Sequence, residues 1–150
     1  MKKLFIICIA GLLMTFYSCK TNNDNSIQFL NITNDQPNKY PFSKAVKTGN
    51  LLFLAGQIGK DPKTGKLVKG GIENQTKQVM ENIKSVLEAN GTSLDKVVKC
   101  TVILDSIEDF SAMNSIYKTY FNDNYPARTT FAANLVGGAK IEIEAIAVVE

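Results

Sequence analysis

Histidine is absent from this 150-residue chain. That excludes serine and cysteine triads with a histidine base, and most catalytic zinc sites. Cysteine is scarce, with Cys8, Cys19 and Cys100 the three present. Cys8 and Cys19 fall within and just after an N-terminal apolar run, so one thiol remains for the fold and no internal disulfide can form. Cys100 lies in a β-branched run and reads as a small buried hydrophobe. An excess of one charge sign is also missing: the formal net charge is +3, with no basic patch, so nucleic acid is not an expected partner. No G-x-G-x-x-G, P-loop or internal repeat occurs, which excludes those phosphate cradles and solenoid architectures.

What is present begins with a leader. Lys2 and Lys3 precede an apolar run over residues 4–16, too short to cross a bilayer of ~30 Å as a helix. It ends in Phe16-Tyr17-Ser18-Cys19. A small residue directly before cysteine resembles the bacterial lipoprotein lipobox. That resemblance implies a signal peptide over residues 1–18, lipidation at Cys19 and a membrane-anchored protein of the cell envelope. Plain secretion with cleavage nearby is the alternative. Residues 19–39, rich in Asn, read as a polar tether with little apolar surface to bury. The rest, 40–150, is long enough for one domain with its own core.

Patterning over that domain predicts the order β-β-α-β-α-β-β. Residues 45–47 and 51–57 are extended around a Thr48-Gly49-Asn50 turn. A helix over 72–90 carries the stripe Ile72, Val79, Met80, Ile83, Val86 and Leu87, with Gly91 as its left-handed stop. Residues 97–104 form a β-branched strand. Ser106 and Asp109 have capping-box spacing for a second helix reaching Phe121, with Phe110, Met113, Tyr117, Tyr120 and Phe121 inward. Two helices over a mostly antiparallel sheet give a two-layer α+β domain. The last strand, Ile141-Glu142-Ile143-Glu144-Ala145-Ile146-Ala147, is apolar on both faces, yet two helices cover only one. The simplest cover for the other face is a second copy of the chain.

The chemistry is concentrated near the C-terminus. In Tyr125-Pro126-Ala127-Arg128-Thr129-Thr130, Pro126 fixes the direction from which Arg128 enters the next segment. A guanidinium forks onto a carboxylate with two parallel hydrogen bonds, which lysine cannot do. Glu142 and Glu144 share one face of the last strand. On the residues alone, an ion pair between Arg128 and either glutamate is the competing reading.

Taken together, the pieces resemble the RidA/YjgF family of enamine/imine deaminases over residues 40–149. They include Pro41-Phe42-Ser43-Lys44-Ala45-Val46, Gly56-Gln57-Ile58, Asp61-Pro62-Lys63-Thr64-Gly65, Gln75-Thr76-Lys77-Gln78-Val79, Asn82-Ile83, Met113-Asn114, Pro126-Ala127-Arg128 and the last strand. The resemblance implies a chorismate-mutase-like fold, a homotrimer whose sheets close a central barrel, and sites in clefts between subunits. It also implies hydrolysis of 2-imino acids such as 2-iminobutanoate and 2-iminopropanoate to 2-keto acids and ammonia, with no cofactor and no metal. Arg128 then matches the carboxylate clamp and Glu142 the acid that activates water. Asn114, Gly56, Phe42 and the backbone at Thr130 match positions around the bound ligand. Asn114 could equally be an interface hydrogen-bonder, and Glu144 a solvent or trimer contact.

Four departures bear on function. Many members carry tyrosine at Phe42, serine at Ala55, cysteine or serine near Thr130, and a proline in the stretch Leu135-Val136-Gly137-Gly138-Ala139. Losing two hydroxyls makes the pocket more apolar. Two functional classes therefore stand side by side: an imine deaminase, and a non-catalytic trimeric module that binds a small carboxylate or a protein.

Overall fold

A computed structural model describes residues 26–30 and 41–149. The leader and Cys19 lie outside the described residues, as does most of the expected tether. Six strands form one sheet: β1 (Ile27–Leu30), β2 (Ala45–Thr48), β3 (Leu51–Ile58), β4 (Val97–Leu104), β5 (Ala127–Ala132) and β6 (Ile141–Val148). Their spatial order is β1-β2-β3-β6-β4-β5. β6 is central and antiparallel to both β3 and β4, while β5 runs parallel to β4. α1 (Gly71–Ala89) and α2 (Phe110–Tyr117) cover one face. This is the expected two-layer α+β arrangement.

Local chemistry explains the elements. Gly49, with φ 54°, and Asn50 close the β2–β3 hairpin, because Thr48 pairs directly with Leu51. α1 ends at Gly91, φ 73°, whose N–H donates to the Glu88 carbonyl at 3.1 Å while the Thr92 N–H donates to Leu87 at 3.0 Å. These two bonds satisfy carbonyls that the last turn would leave open, as in a Schellman stop. Val79, Met80, Ile83, Val86 and Leu87 are buried against Ile141, Ile143, Ala145 and Ala147 of β6.

β6 divides the molecule. Its odd-numbered residues are buried under the helices, whereas Glu142, Ile146 and Val148 are half-buried and Glu144 is exposed. Phe29, Phe53 and Phe131 lie on that same outer face, as the strand registers show, and all three are exposed in a single chain. The helices thus leave an apolar sheet face open.

Four expectations differ from the structure. Ile27–Leu30, within the expected tether, pairs with Ala45–Thr48 as an edge strand. Four residues suffice because β2 offers unpaired backbone groups, and composition averaged over twenty residues hides so short a segment. The second helix is α-helical only over Phe110–Tyr117, with 3₁₀ turns at Ile107–Asp109 and Lys118–Tyr120. Ser106 caps it by accepting from the Glu108 N–H at 3.3 Å, without the reciprocal bond from Asp109 that a capping box requires. Phe110 is 37% exposed rather than inward, because it sits beside β5, the sheet's edge, where no further strand lies above it.

Candidate functional site

The residues singled out in the sequence fall into two groups on opposite sides of the sheet. Arg128 is the register partner of buried Cys100, so it projects to the helix side. Its guanidinium carbon lies 4.6 Å from the Tyr117 ring centroid and 5.7 Å from that of Phe110. Phe110, Asn114 and Tyr117 recur at helical spacing on one face of α2, which places Asn114 on the stripe facing the guanidinium. Thr130, two residues beyond Arg128, shares its face, and its hydroxyl is buried without a hydrogen-bond partner. Among the described residues no carboxylate pairs with Arg128 and no hydrogen bond ties its N–H donors.

The second group lies across β6. Glu142 is opposite Ile103 and Ile58 in register, on the outer face. A Cβ built on Gly56 would coincide with the Glu142 carboxylate, so Gly56 is the reason this side chain can lie over β3. An extra residue in β3 between Leu54 and Gln57 turns Gly56 towards Glu142. The chain ahead of β2 runs beside the bulge, with the Ala55 N–H donating to the Lys44 carbonyl at 3.0 Å. Phe42, three residues ahead of β2, is 52% exposed.

Arg128 and Glu142 therefore cannot form an ion pair within one chain. They project from opposite faces of strands separated by β4, ~10 Å apart in the sheet. One small molecule can touch both only where two copies meet.

Several motif residues hold this frame and do not approach the ligand groups. Asn82 donates its amide to the carbonyls of Ile58 (3.1 Å) and Lys60 (2.9 Å), and itself accepts from Gln78 at 2.9 Å. Gln75, buried, accepts from the Lys140 N–H at 2.8 Å. These α1 amides pin the end of β3 and the start of β6, the two segments that flank Glu142. A cavity of about 510 Å³ lies elsewhere, between α1 and the segment after α2, lined by Lys84, Glu88, Tyr120 and Asn122 among others. None of the predicted ligand residues lines it.

Sequence reading placed Tyr117 in the core but missed its contact with Arg128. The signal was present, since Phe110 and Tyr117 are seven residues apart and Arg128 lies on the strand that directly follows their helix. The Tyr117 hydroxyl lies beside the Cys100 thiol, close enough for each to influence the other's ionisation, yet it makes no well-formed hydrogen bond. Burial pushes the Cys100 thiol above its ordinary value of 9.0, against smaller lowering effects of Tyr117 and Arg128. Burial likewise raises Tyr117 above 10.0. Both groups keep their proton in the folded chain and lose it first in the unfolded one. Stability is therefore full below pH 9 and falls as pH rises past it. In urea titrations from pH 7 to 11, the midpoint should begin to drop near pH 9 for wild type, but only near pH 10 for Cys100→Ala. Coincident curves would show that the thiol stays protonated to no consequence.

Comparison with known proteins agrees with this fold. The family model described as endoribonuclease L-PSP matches residues 33–149. A RutC family protein of Pyrococcus horikoshii is 54% identical over 108 residues, covering 71% of this chain and 86% of that protein. The 2-iminobutanoate/2-iminopropanoate deaminase of Homo sapiens is 45% identical over 109 residues, covering 72% and 80%. The crystal structure of E. coli TdcF with bound serine superimposes with a TM-score of 0.70 at 33% identity, covering 74% of this chain and 90% of that one. The chain belongs to the endoribonuclease L-PSP family, the RidA/YjgF family that its motifs resemble.

Proposed function

We propose that the protein hydrolyses 2-imino acids and their enamine tautomers to 2-keto acids and ammonia. The observation that carries this reading is the state of Arg128. Its ring-covered guanidinium has donors left over on an edge strand, which is what a carboxylate clamp needs before substrate arrives. A 2-imino acid presents a carboxylate next to an electrophilic C=N carbon. Glu142 of a neighbouring copy takes a proton from water as its oxygen adds to that carbon. That proton passes to nitrogen to give a carbinolamine, and Glu142 then carries the hydroxyl proton to nitrogen as the C–N bond breaks, leaving the ketone and ammonia. Every step is proton transfer and addition, so no cofactor or metal is needed. Relatives support the substrate class: the human one is named for 2-iminobutanoate and 2-iminopropanoate, and TdcF holds serine, also an α-carboxylate. The ribonuclease in the family's description finds no support here, because the chain lacks histidine and carries a net charge of only +3.

The assembly we infer is a homotrimer with sites between copies. The open apolar face of β6 and the separation of Arg128 from Glu142 both support it. Light scattering that returns the mass of one chain would retract it. Lipidation at Cys19 would further place the domain at the cell envelope. Because β1 begins at Ile27, residues 20–26 would hold the sheet within ~25 Å of the anchor. Intact mass of the mature protein without acyl groups would rule the anchor out.

The decisive experiment generates 2-iminobutanoate with an amino-acid oxidase and traps it with semicarbazide. The soluble domain from residue 26 should suppress the trapped product in proportion to its concentration. Undiminished trapping, with 2-oxobutanoate still binding through Arg128, would favour the alternative of a carboxylate-binding module. The hydroxyls missing at Phe42 and Ala55 are the observation that keeps that alternative in view.

A further inference from the structure

An arginine that waits for a ligand must be held still by something other than a counter-ion. Arginine carries ~2 kcal/mol of rotamer entropy, and an unrestrained guanidinium would lose it on binding. In most proteins a carboxylate does the holding, but it would also fill the donors that the substrate needs. Here the guanidinium carbon lies over ring faces instead. The Arg128 guanidinium carbon sits 4.6 Å from the centroid of Tyr117 and 5.7 Å from that of Phe110. Ring faces attract a cation by their quadrupole and leave the in-plane N–H groups unoccupied.

The nearer ring is itself fixed. Tyr117 is 3% exposed, and its centroid lies 4.9 Å from that of Phe121, whose ring stands 6.1 Å from Tyr125. This row of three aromatics leads from the core to the residue just before Pro126, so both ends of the short segment carrying Arg128 are referenced to the same packed rings. The Tyr117 hydroxyl makes no hydrogen bond, which leaves the ring, and not the oxygen, as the part in use.

We propose that Tyr117 and Phe110 are positioning residues: their rings clip the Arg128 guanidinium without using its hydrogen bonds, so that its N–H donors are presented ready-made to a substrate carboxylate. This inference rests on the reading of Arg128 as the carboxylate clamp. It sets a stricter rule than charge or burial, since the identity of the ring decides and its hydroxyl does not.

The test uses the soluble domain and two readouts, one of which needs no activity. In wild type, the Arg128 Nε–H signal in ¹H–¹⁵N NMR should carry an upfield ring-current shift. Tyr117→Phe should keep that shift, and its affinity for 2-oxobutanoate should stay within about twofold. Tyr117→Leu should lose the shift and weaken 2-oxobutanoate by roughly 5- to 30-fold, the range expected for a partly desolvated cation–π contact. If imine hydrolysis is measured too, KM should rise for Tyr117→Leu with kcat nearly unchanged. Should Tyr117→Leu fail to fold, Phe110→Leu serves in its place, because Phe110 is 37% exposed and outside the core. Its affinity loss should be a few-fold, and Phe110→Tyr should restore it. Three results overturn the proposal: no ring-current shift in wild type, equal loss in Tyr117→Phe and a folded Tyr117→Leu, or wild-type affinity in both leucine variants. Failure of wild type to hydrolyse imines, with the shift and the affinity pattern intact, would instead count against the catalytic reading and leave the clip standing.

Discussion

Arg128→Lys is expected to lower kcat/KM for imine hydrolysis by roughly 30- to 1,000-fold while the protein stays folded and assembled. Lysine keeps the charge but cannot form the bidentate fork, and it lacks the planar group that lies over the Phe110 and Tyr117 rings. Losing a clamp in a partly desolvated cleft costs ~2–4 kcal/mol of transition-state stabilisation, which corresponds to that range. Glu142→Gln should be comparably poor in turnover yet bind 2-oxobutanoate nearly as wild type does, since the clamp is untouched. The opposite-face geometry then makes a sharper demand. If each site takes Arg128 from one copy and Glu142 from the next, neither inactive variant lacks both halves. Refolding the two variants together at equal amounts should regenerate about a quarter of the wild-type sites by random assembly. Mixed samples that stay as inactive as their components, with exchange verified by mass, would show that the two residues do not act across copies.

Much of this was legible in the sequence, and the reasons are local. The α1 stripe and the Gly91 stop follow from a 3.6-residue period and one left-handed position, and both depend on near neighbours only. The hairpin at Gly49-Asn50 is the same kind of signal. The two apolar faces of β6 were readable from alternation, and with them the open sheet face. What escaped depends on pairing between distant segments. Alternation could say that Glu142 and Glu144 share a face, but not that Arg128 points to the other. That fact comes from the register of β5 against Cys100, set by a parallel pairing that leaves no local trace. The Ile27–Leu30 strand escaped because its stability comes from the β2 edge and not from its own composition. The polar residues Gln75 and Asn82 lie in motifs to which the sequence assigns no role; their partners are backbone groups of Lys140, Ile58 and Lys60, more than twenty positions away.

Two glycines of one short stretch should respond in opposite ways to the same substitution, and the contrast separates function from fold. Gly56 is exposed, and a Cβ there would meet the end of the Glu142 side chain, with its carboxyl carbon at 2.8 Å and Cγ at 3.0 Å. That side chain is half-buried and can swing outwards, so Gly56→Ala should shift thermal stability little. If Glu142 is the base proposed above, the displaced carboxylate should lower turnover by ~10²-fold or more, as misplacement of a catalytic group by about 1 Å does. Gly59 is buried, and a Cβ there would press on the Gln75 backbone at 2.9 Å and its Cβ at 2.8 Å. A helix backbone cannot step aside as a carboxylate can. Gly59→Ala should therefore push α1 off the sheet, costing ~1–3 kcal/mol and lowering the unfolding midpoint, while the molecules that remain folded keep substantial activity. The measurement is a pair of thermal melts and a pair of imine-trapping assays on the soluble domain. A destabilised but fully active Gly56→Ala would mean that Glu142 is not held where the reaction needs it, and would remove it from the mechanism. A stable Gly59→Ala would mean that the contact between α1 and the end of β3 is slack, and the rigid frame argued for Glu142 would fall with it.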